Sequence, residues 1–204
     1  MVGGISQESE ATYGRLLAPF LAREDTLAVI SSDFCHWCVI AFLRFFNLQP
    51  NQLSRGTRFG YTYYYPTPHP LPPGTTPISL NPSSRSSRPS ADFPIHASIT
   101  QLDLEAMRLL ELPISSWPGS SKTARGTHHE FKAYLNRTGN TICGRHPIGV
   151  LLGVLSALEE GIQGENGDIP PQTATLQWVR YEQSSQCVTL KDSSVSYASA
   201  YVQF

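Results

Sequence analysis

The stretch Leu27 to Trp37, LAVISSDFCHW, constrains the fold of this chain more than any other. An apolar run, Leu27 to Ile30, ends in small polar residues and then delivers Asp33, Cys35 and His36 within four positions. An apolar run of this length bounded by polar residues is the pattern of a buried strand. In open α/β sheets, ligands gather at the carboxyl ends of strands. A carboxylate, a thiol and an imidazole placed there form a candidate site. The residues alone leave a second reading open, in which an ordinary turn with a structural Cys and His follows the strand.

The flanking patterns place that strand in an α/β chain. Upstream, Tyr13, Leu16, Leu17 and Phe20 recur at spacings of three and four, a helical period, with Ser6 as a candidate N-cap. Downstream, Ile95, Ile99, Leu102, Ala106, Leu109 and Leu110 form one apolar stripe, which Pro113 ends. Thr127 followed by Glu130 has the form of a capping box that opens a helix through Phe131, Tyr134 and Leu135, stopped at Gly139. Ile148 to Leu158 is apolar nearly all round, with Pro147 suited to the first turn and Gly161 to the C′ position. Ala174, Leu176 and Trp178 alternate with Thr175, Gln177 and Val179, which predicts a strand, and Val195 to Phe204 reads as a last β segment. Two stretches break this order. Cys38 to Gly56 is apolar, then coil-like. Pro66 to Pro94 is so dense in proline and serine that it cannot bury enough apolar surface to offset its ordering entropy. It reads as a disordered loop of polyproline II character near its start. A surface insertion is the preferred reading over an SH3 or WW ligand or a phosphorylated segment at Ser83 to Ser90.

Composition narrows the function. A length of 204 residues suits one domain. A formal net charge of −1 provides no basic field for nucleic acid or an anionic membrane. No apolar run reaches the length of a bilayer span. Four cysteines, Cys35, Cys38, Cys143 and Cys187, are too scattered for a disulfide framework and indicate a reducing, intracellular compartment. Cys143 lies just before the helix near Pro147, whose positive end stabilises a thiolate, and Arg145 and His146 add cationic character. A thiolate there suits a nucleophile, a redox centre or a soft metal ligand. A buried structural cysteine is the other reading. Cys35-His36-Trp37-Cys38 has the form C-x-x-C, but Cys38 leads into an apolar run rather than an amphipathic helix, and a zinc site would need a second short-spaced pair. His128 and His129 sit at a helix start and read as surface residues. No P-loop, GxGxxG, HExxH or GxSxG motif is present.

Four blocks taken together, VISSDFCHW from Val29, RFGYTYY from Arg58, NTICGRHPIGVLL from Asn140, and SSQC with DSSVSYAS from Ser184 and Asp192, closely resemble the Memo family. That family is named for a mediator of receptor-tyrosine-kinase-driven cell motility. The resemblance implies an α/β fold, a central mixed β-sheet flanked by helices, similar to the class III extradiol non-haem-iron dioxygenases (a LigB-type architecture). It implies a site of three histidines and one cysteine that binds copper or iron. It also implies copper-dependent redox activity or binding of a phosphotyrosine-containing peptide or signalling protein, in the cytoplasm and also the nucleus. By motif matching, His36 and Cys143 are the expected metal ligands and Asp33 lies at the site's edge. Cys35, Trp37, Arg145 and His146 are expected around the pocket. Imidazole with thiolate suits copper.

The departures from the family pattern carry expectations of their own. The APHAGY-like and GPSHH-like motifs, each the source of a site histidine in the family, are absent. The opening VGGIS follows a strand well inside the family domain. The expectation is therefore a single Memo-like domain over 1–204, corresponding to the C-terminal half and incomplete at its N-terminal side. It carries an atypical insert at 38–56 and a disordered loop at 66–94. Such a half-sheet is expected to leave an unpaired edge and an exposed apolar face, with poor solubility or self-association. The expected function is metal binding with a redox role. The alternatives are a non-catalytic phosphopeptide adaptor, in which Arg145 and His146 meet the anion, or an inactive fragment. A ring-cleaving dioxygenase is the weaker reading, since a cysteine replaces a harder ligand.

Overall fold

The computed structural model describes residues 4–37, 63–65, 77–80, 89–112, 122–163 and 168–204. The insert at 38–56, with Cys38, lies outside them, as do Pro113 and most of the segment 66–94. Ser6 caps the first helix as its sequence suggests. Its Oγ accepts the Ser9 N–H at 3.2 Å, and α1 runs Gln7–Leu21. The first strand starts later than the apolar run predicts. Residues 27–31 are not in a strand, and β1 spans Asp33–Trp37, the chemistry-bearing residues themselves. The physical reason is pairing. Residues 33–37 find an antiparallel partner, whereas no described strand lies beside 27–31. Two short strands follow, β2 (Tyr63–Tyr64) and β3 (Ile78–Ser79). They pair antiparallel, and Leu80, within the stretch read as loop, is buried.

Three helices come next. The stripe from Ile95 becomes α2, Ile95–Leu110. The third helix, α3, spans Ala124–Thr138 and begins one turn before the expected capping box. Thr123 is its N-cap, with Oγ1 accepting the Gly126 N–H at 3.1 Å, so Thr127 is a buried residue of the first turn. Gly139 ends α3 in the left-handed region at φ 66°, a conformation glycine adopts without steric penalty. The apolar helix α4 spans Arg145–Glu160. Strands β4 (Thr175–Gln183) and β5 (Ser194–Gln203) complete the order. The larger sheet has the order β1-β5-β4. All its described pairings are antiparallel, which corrects the expected mixed sheet to an antiparallel one among the described residues. No helix of the described residues is long and apolar enough to cross a membrane.

The core lies between this sheet and α2 and α3. Ile99, Leu102, Phe131 and Tyr134 pack against Phe34 and Trp37, and Phe34 meets Trp178 edge to face at 5.6 Å. On the other side, α1 crosses α4 on small residues. The stripe that identifies α1 is not the face it buries. Glu10, Gly14 and Ala18 face inward, while Tyr13, Leu16, Leu17 and Phe20 are exposed. A Cβ on Gly14 would overlap the backbone of Gly153. Helix propensity alone would make Gly14→Ala stabilising by about 1 kcal/mol. The crossing reverses that sign, because overpacking costs about 1–3 kcal/mol. We expect a net loss of up to about 2 kcal/mol in chemical denaturation.

Candidate metal centre

The site begins with an irregularity in β1. In a regular strand, residues three apart face opposite sides. Here the register with β5 shifts between Asp33 and His36, and a bulge of this kind re-aims a side chain. Asp33 Oδ2 and His36 Nε2 consequently lie 3.7 Å apart. Cys143 arrives from the turn before α4, stitched to the same strand. Its N–H donates to the Asp33 carbonyl at 3.2 Å, and the Asp33 N–H donates to Cys143 Sγ at 3.3 Å. The neighbouring residues fix the two segments together. The His36 N–H donates to Thr141 Oγ1 at 2.9 Å, and the Gly144 N–H donates to Ser32 Oγ at 3.0 Å. Gly144 permits this approach, since a Cβ there would collide with Ser32.

Asp33, His36 and Cys143 each offer one donor atom, and the three atoms lie within 4.8 Å of one another. His36 Nε2 is buried and has no hydrogen-bond partner among the described residues. A buried polar atom of this kind calls for an explanation, and an ion is one. Burial lowers the proton affinity of the His36 ring, with the nearby Asp33 carboxylate pulling the other way. The ring is therefore neutral at neutral pH, the form that ligates a metal. Cys143 is exposed and approachable. One nitrogen, one sulfur and one oxygen donor fit a three-ligand site with an open position. The thiolate and imidazole favour copper, while the carboxylate is compatible with iron.

The other residues singled out by sequence sit elsewhere. Cys35 and Trp37 are buried in the hydrophobic core behind the strand, and burial pushes the Cys35 thiol well above its ordinary range, which disfavours a redox C-x-x-C. Arg145 is exposed; its Nη1 donates to the Ile142 carbonyl at 3.4 Å. His146 turns away from the site. Its Nδ1 meets Glu10 Oε1 at 2.6 Å, while His128, read as a surface residue, is buried with Nε2 2.7 Å from Glu10 Oε2. An ionised carboxylate only accepts, so both rings donate. Burial alone would raise the Glu10 carboxyl, but the hydrogen bonds from His128 and His146 outweigh it and the net shift is downward. Sequence reasoning missed this clamp. Its available signal was four-residue spacing, Glu10, Gly14 and Ala18 on α1 facing Gly149, Gly153 and Ala157 on α4.

A second buried polar group also escaped the sequence. Asp103 is fully buried. Its Oδ1 accepts from Asn140 Nδ2 at 2.9 Å, and its Oδ2 accepts from the Tyr181 hydroxyl at 2.9 Å. Burial pushes its carboxyl up to about 6, against the opposing hydrogen bonds from Asn140, Ser196, Tyr181 and the Cys35 backbone.

The family model described as Memo-like protein matches residues 1–201. The MEMO1 family protein MHO1 of Saccharomyces cerevisiae is 33% identical over 206 residues, covering 99% of this chain and 50% of the yeast protein. Protein MEMO1 of Mus musculus is 32% identical over 200 residues, covering 97% of this chain and 45% of the mouse protein. Protein MEMO1 of Danio rerio is 33% identical over the same length, with the same coverage of each chain. The chain thus spans about half the length of the curated relatives it matches.

Proposed function

The chain belongs to the Memo family, and from that premise we propose that Asp33, His36 and Cys143 hold a copper or iron ion with a redox role. The observation that carries this reading is the buried His36 Nε2, without a hydrogen-bond partner among the described residues, beside a thiol and a carboxylate. His36 would donate through Nε2, its ring fixed by the strand pairing. Cys143 would bind as thiolate, releasing its proton as the metal enters. Asp33 would supply the oxygen donor or accept a hydrogen bond from an incoming ligand. When bound, such an ion supplies one-electron redox chemistry at an open coordination position. Further ligands would come from the part of the family chain outside the match. A dioxygenase-like architecture, a role in motility signalling and a cytoplasmic or nuclear location belong to the same proposal and rest on family membership. The phosphopeptide-adaptor alternative is weakened by one contact. His146, one of its two cations, is already engaged by Glu10.

The test is anaerobic titration with Cu(I) against a competing chelator, repeated with Co(II) to read the thiolate charge-transfer band. One equivalent should bind with that band present. Cys143→Ser and His36→Ala should each weaken binding by at least about tenfold, the lower bound for disturbing a metal site. Equal binding in both variants, or binding without a thiolate signature, would overturn the assignment.

A further inference from the structure

We infer that the hydroxyls of Thr141 and Ser32 are positioning groups that keep the Cys143 thiolate in the ligand set and so decide which metal the centre prefers. The inference rests on the proposed metal centre and deepens it. Two of the three donors come from one strand. Asp33 and His36 both sit on β1, and pairing with Tyr197 and Val195 of β5 holds them. Cys143 alone arrives from another segment, 110 positions from Asp33. In the sheet order β1 comes first, so β5 is its one neighbour among the described strands, and residues 141–144 meet backbone groups of β1 that β5 does not take up. No regular ladder forms at this seam among the described residues. One backbone-to-backbone bond crosses it, from the Cys143 N–H to the Asp33 carbonyl at 3.2 Å.

Two side-chain hydroxyls supply the rest. Thr141 Oγ1 accepts the His36 N–H at 2.9 Å and lies 3.5 Å from the His36 carbonyl. Ser32 Oγ accepts the Gly144 N–H at 3.0 Å and donates to the Asp33 carbonyl at 3.0 Å, the same oxygen that receives the Cys143 N–H. The pair therefore brackets the thiol, with Thr141 gripping two residues before it and Ser32 gripping the residue after it. Both side chains are half-buried, and a backbone N–H shielded from water needs an acceptor. Loss of either hydroxyl leaves one such N–H open and loosens the segment that carries Cys143. A thiolate is a soft ligand, whereas carboxylate serves harder ions. With the seam loosened, Asp33 and His36 stay in place through β5 and the thiolate loses its fixed position. The preference then moves from Cu(I) toward a hard ion such as Mn(II). Groups that orient ligands without touching the metal alter affinity by about 10- to 100-fold.

The experiment measures two affinities on the intact chain, Cu(I) against a competing chelator and Mn(II) by electron paramagnetic resonance, and takes their ratio. A loss of folded protein lowers both affinities alike, so a merely structural role does not move the ratio. Thr141→Val keeps the shape and removes the acceptor. It should lower the ratio of Cu(I) to Mn(II) association constants at least about tenfold and weaken the Co(II) thiolate band, and Thr141→Ser should return both to the wild-type values. Ser32→Ala should act in the same direction, and it decides the matter if Thr141→Val does not fold. Thr138→Val is the control. The buried Thr138 hydroxyl accepts the Asn140 N–H at 3.2 Å and donates to the Tyr134 carbonyl at 2.9 Å, so it lies near the same turn without gripping β1. Its loss should lower stability and leave the ratio unchanged. The inference is overturned if Thr141→Val and Ser32→Ala keep the wild-type ratio and band, or if Thr138→Val moves the ratio as far as they do. Failure of the metal centre itself reads differently, as a wild-type protein without a thiolate band, and overturns both readings.

Discussion

Replacing Glu10 with alanine will destabilise the protein by about 3–5 kcal/mol, the range for removing one partner from a buried, hydrogen-bonded charged group. Glu10 is 4% exposed, and each carboxylate oxygen takes one ring N–H, from His128 on α3 and His146 on α4. Alanine leaves both donors buried without their acceptor, and hydrogen bonds to a charged group contribute about 1.5–3 kcal/mol each. Gln at position 10 keeps one acceptor oxygen and should lose about half as much. The clamp also has a defined pH dependence. Its carboxyl is held below the ordinary range. Its contribution is therefore complete above the unfolded value near 4.5 and is lost as pH falls through the lower folded value. Denaturant titrations of wild type and Glu10→Ala at pH 7 and below pH 4 check both statements. The difference between the two proteins should shrink in acid. A stability change under about 1 kcal/mol at pH 7 would show that the three helices do not depend on this carboxylate.

Asp103 should show the opposite sign. Its folded pKa, pushed up to about 6, lies above the unfolded value. It therefore contributes stability that is fully present below the unfolded value near 3.8 and is lost as pH rises through about 6. A shift of this size corresponds to roughly 3 kcal/mol between pH 4 and pH 7. Asp103→Asn should remove that dependence. It keeps an oxygen for Asn140 and places an amide toward the Tyr181 hydroxyl, which already accepts from Gln183 Nε2 at 3.1 Å. Stability measured across pH 4 to 8 for both proteins isolates this group, because the remaining titrating residues are common to the pair. Parallel curves would show that burial does not raise this carboxyl.

These two buried carboxylates also mark where sequence reading stops. The helix α2 was legible from its apolar stripe, α3 from a capping signal and Gly139, and α4 from an apolar run between Pro147 and Gly161. His36 and Cys143 were legible only as a pair of motifs; their meeting depends on contacts across more than a hundred positions. Asp33 and His36 share a side because of a register shift in β1, which no local pattern encodes. The run Leu27 to Ile30 has the composition of a buried strand and lacks a described partner strand, so composition misplaced β1. In α1 the large apolar residues point outward because Gly14 and Gly153 permit a closer crossing on the other face. An apolar period locates a helix but does not choose between two faces when one is built from small residues. The clamp joins Glu10 to residues 118 and 136 positions away, beyond any spacing rule.

If His36 and Cys143 ligate one metal ion, the copper-loaded protein carries sulfur in its first coordination shell. The most direct measurement is the X-ray absorption spectrum of the copper-loaded protein. One sulfur scatterer is expected at about 2.3 Å together with nitrogen or oxygen at about 2.0 Å, taking the distances usual for zinc thiolate and imidazole as a guide, with loss of the sulfur shell in Cys143→Ser. A first shell of nitrogen and oxygen alone in the wild-type protein, unchanged in that variant, would contradict it.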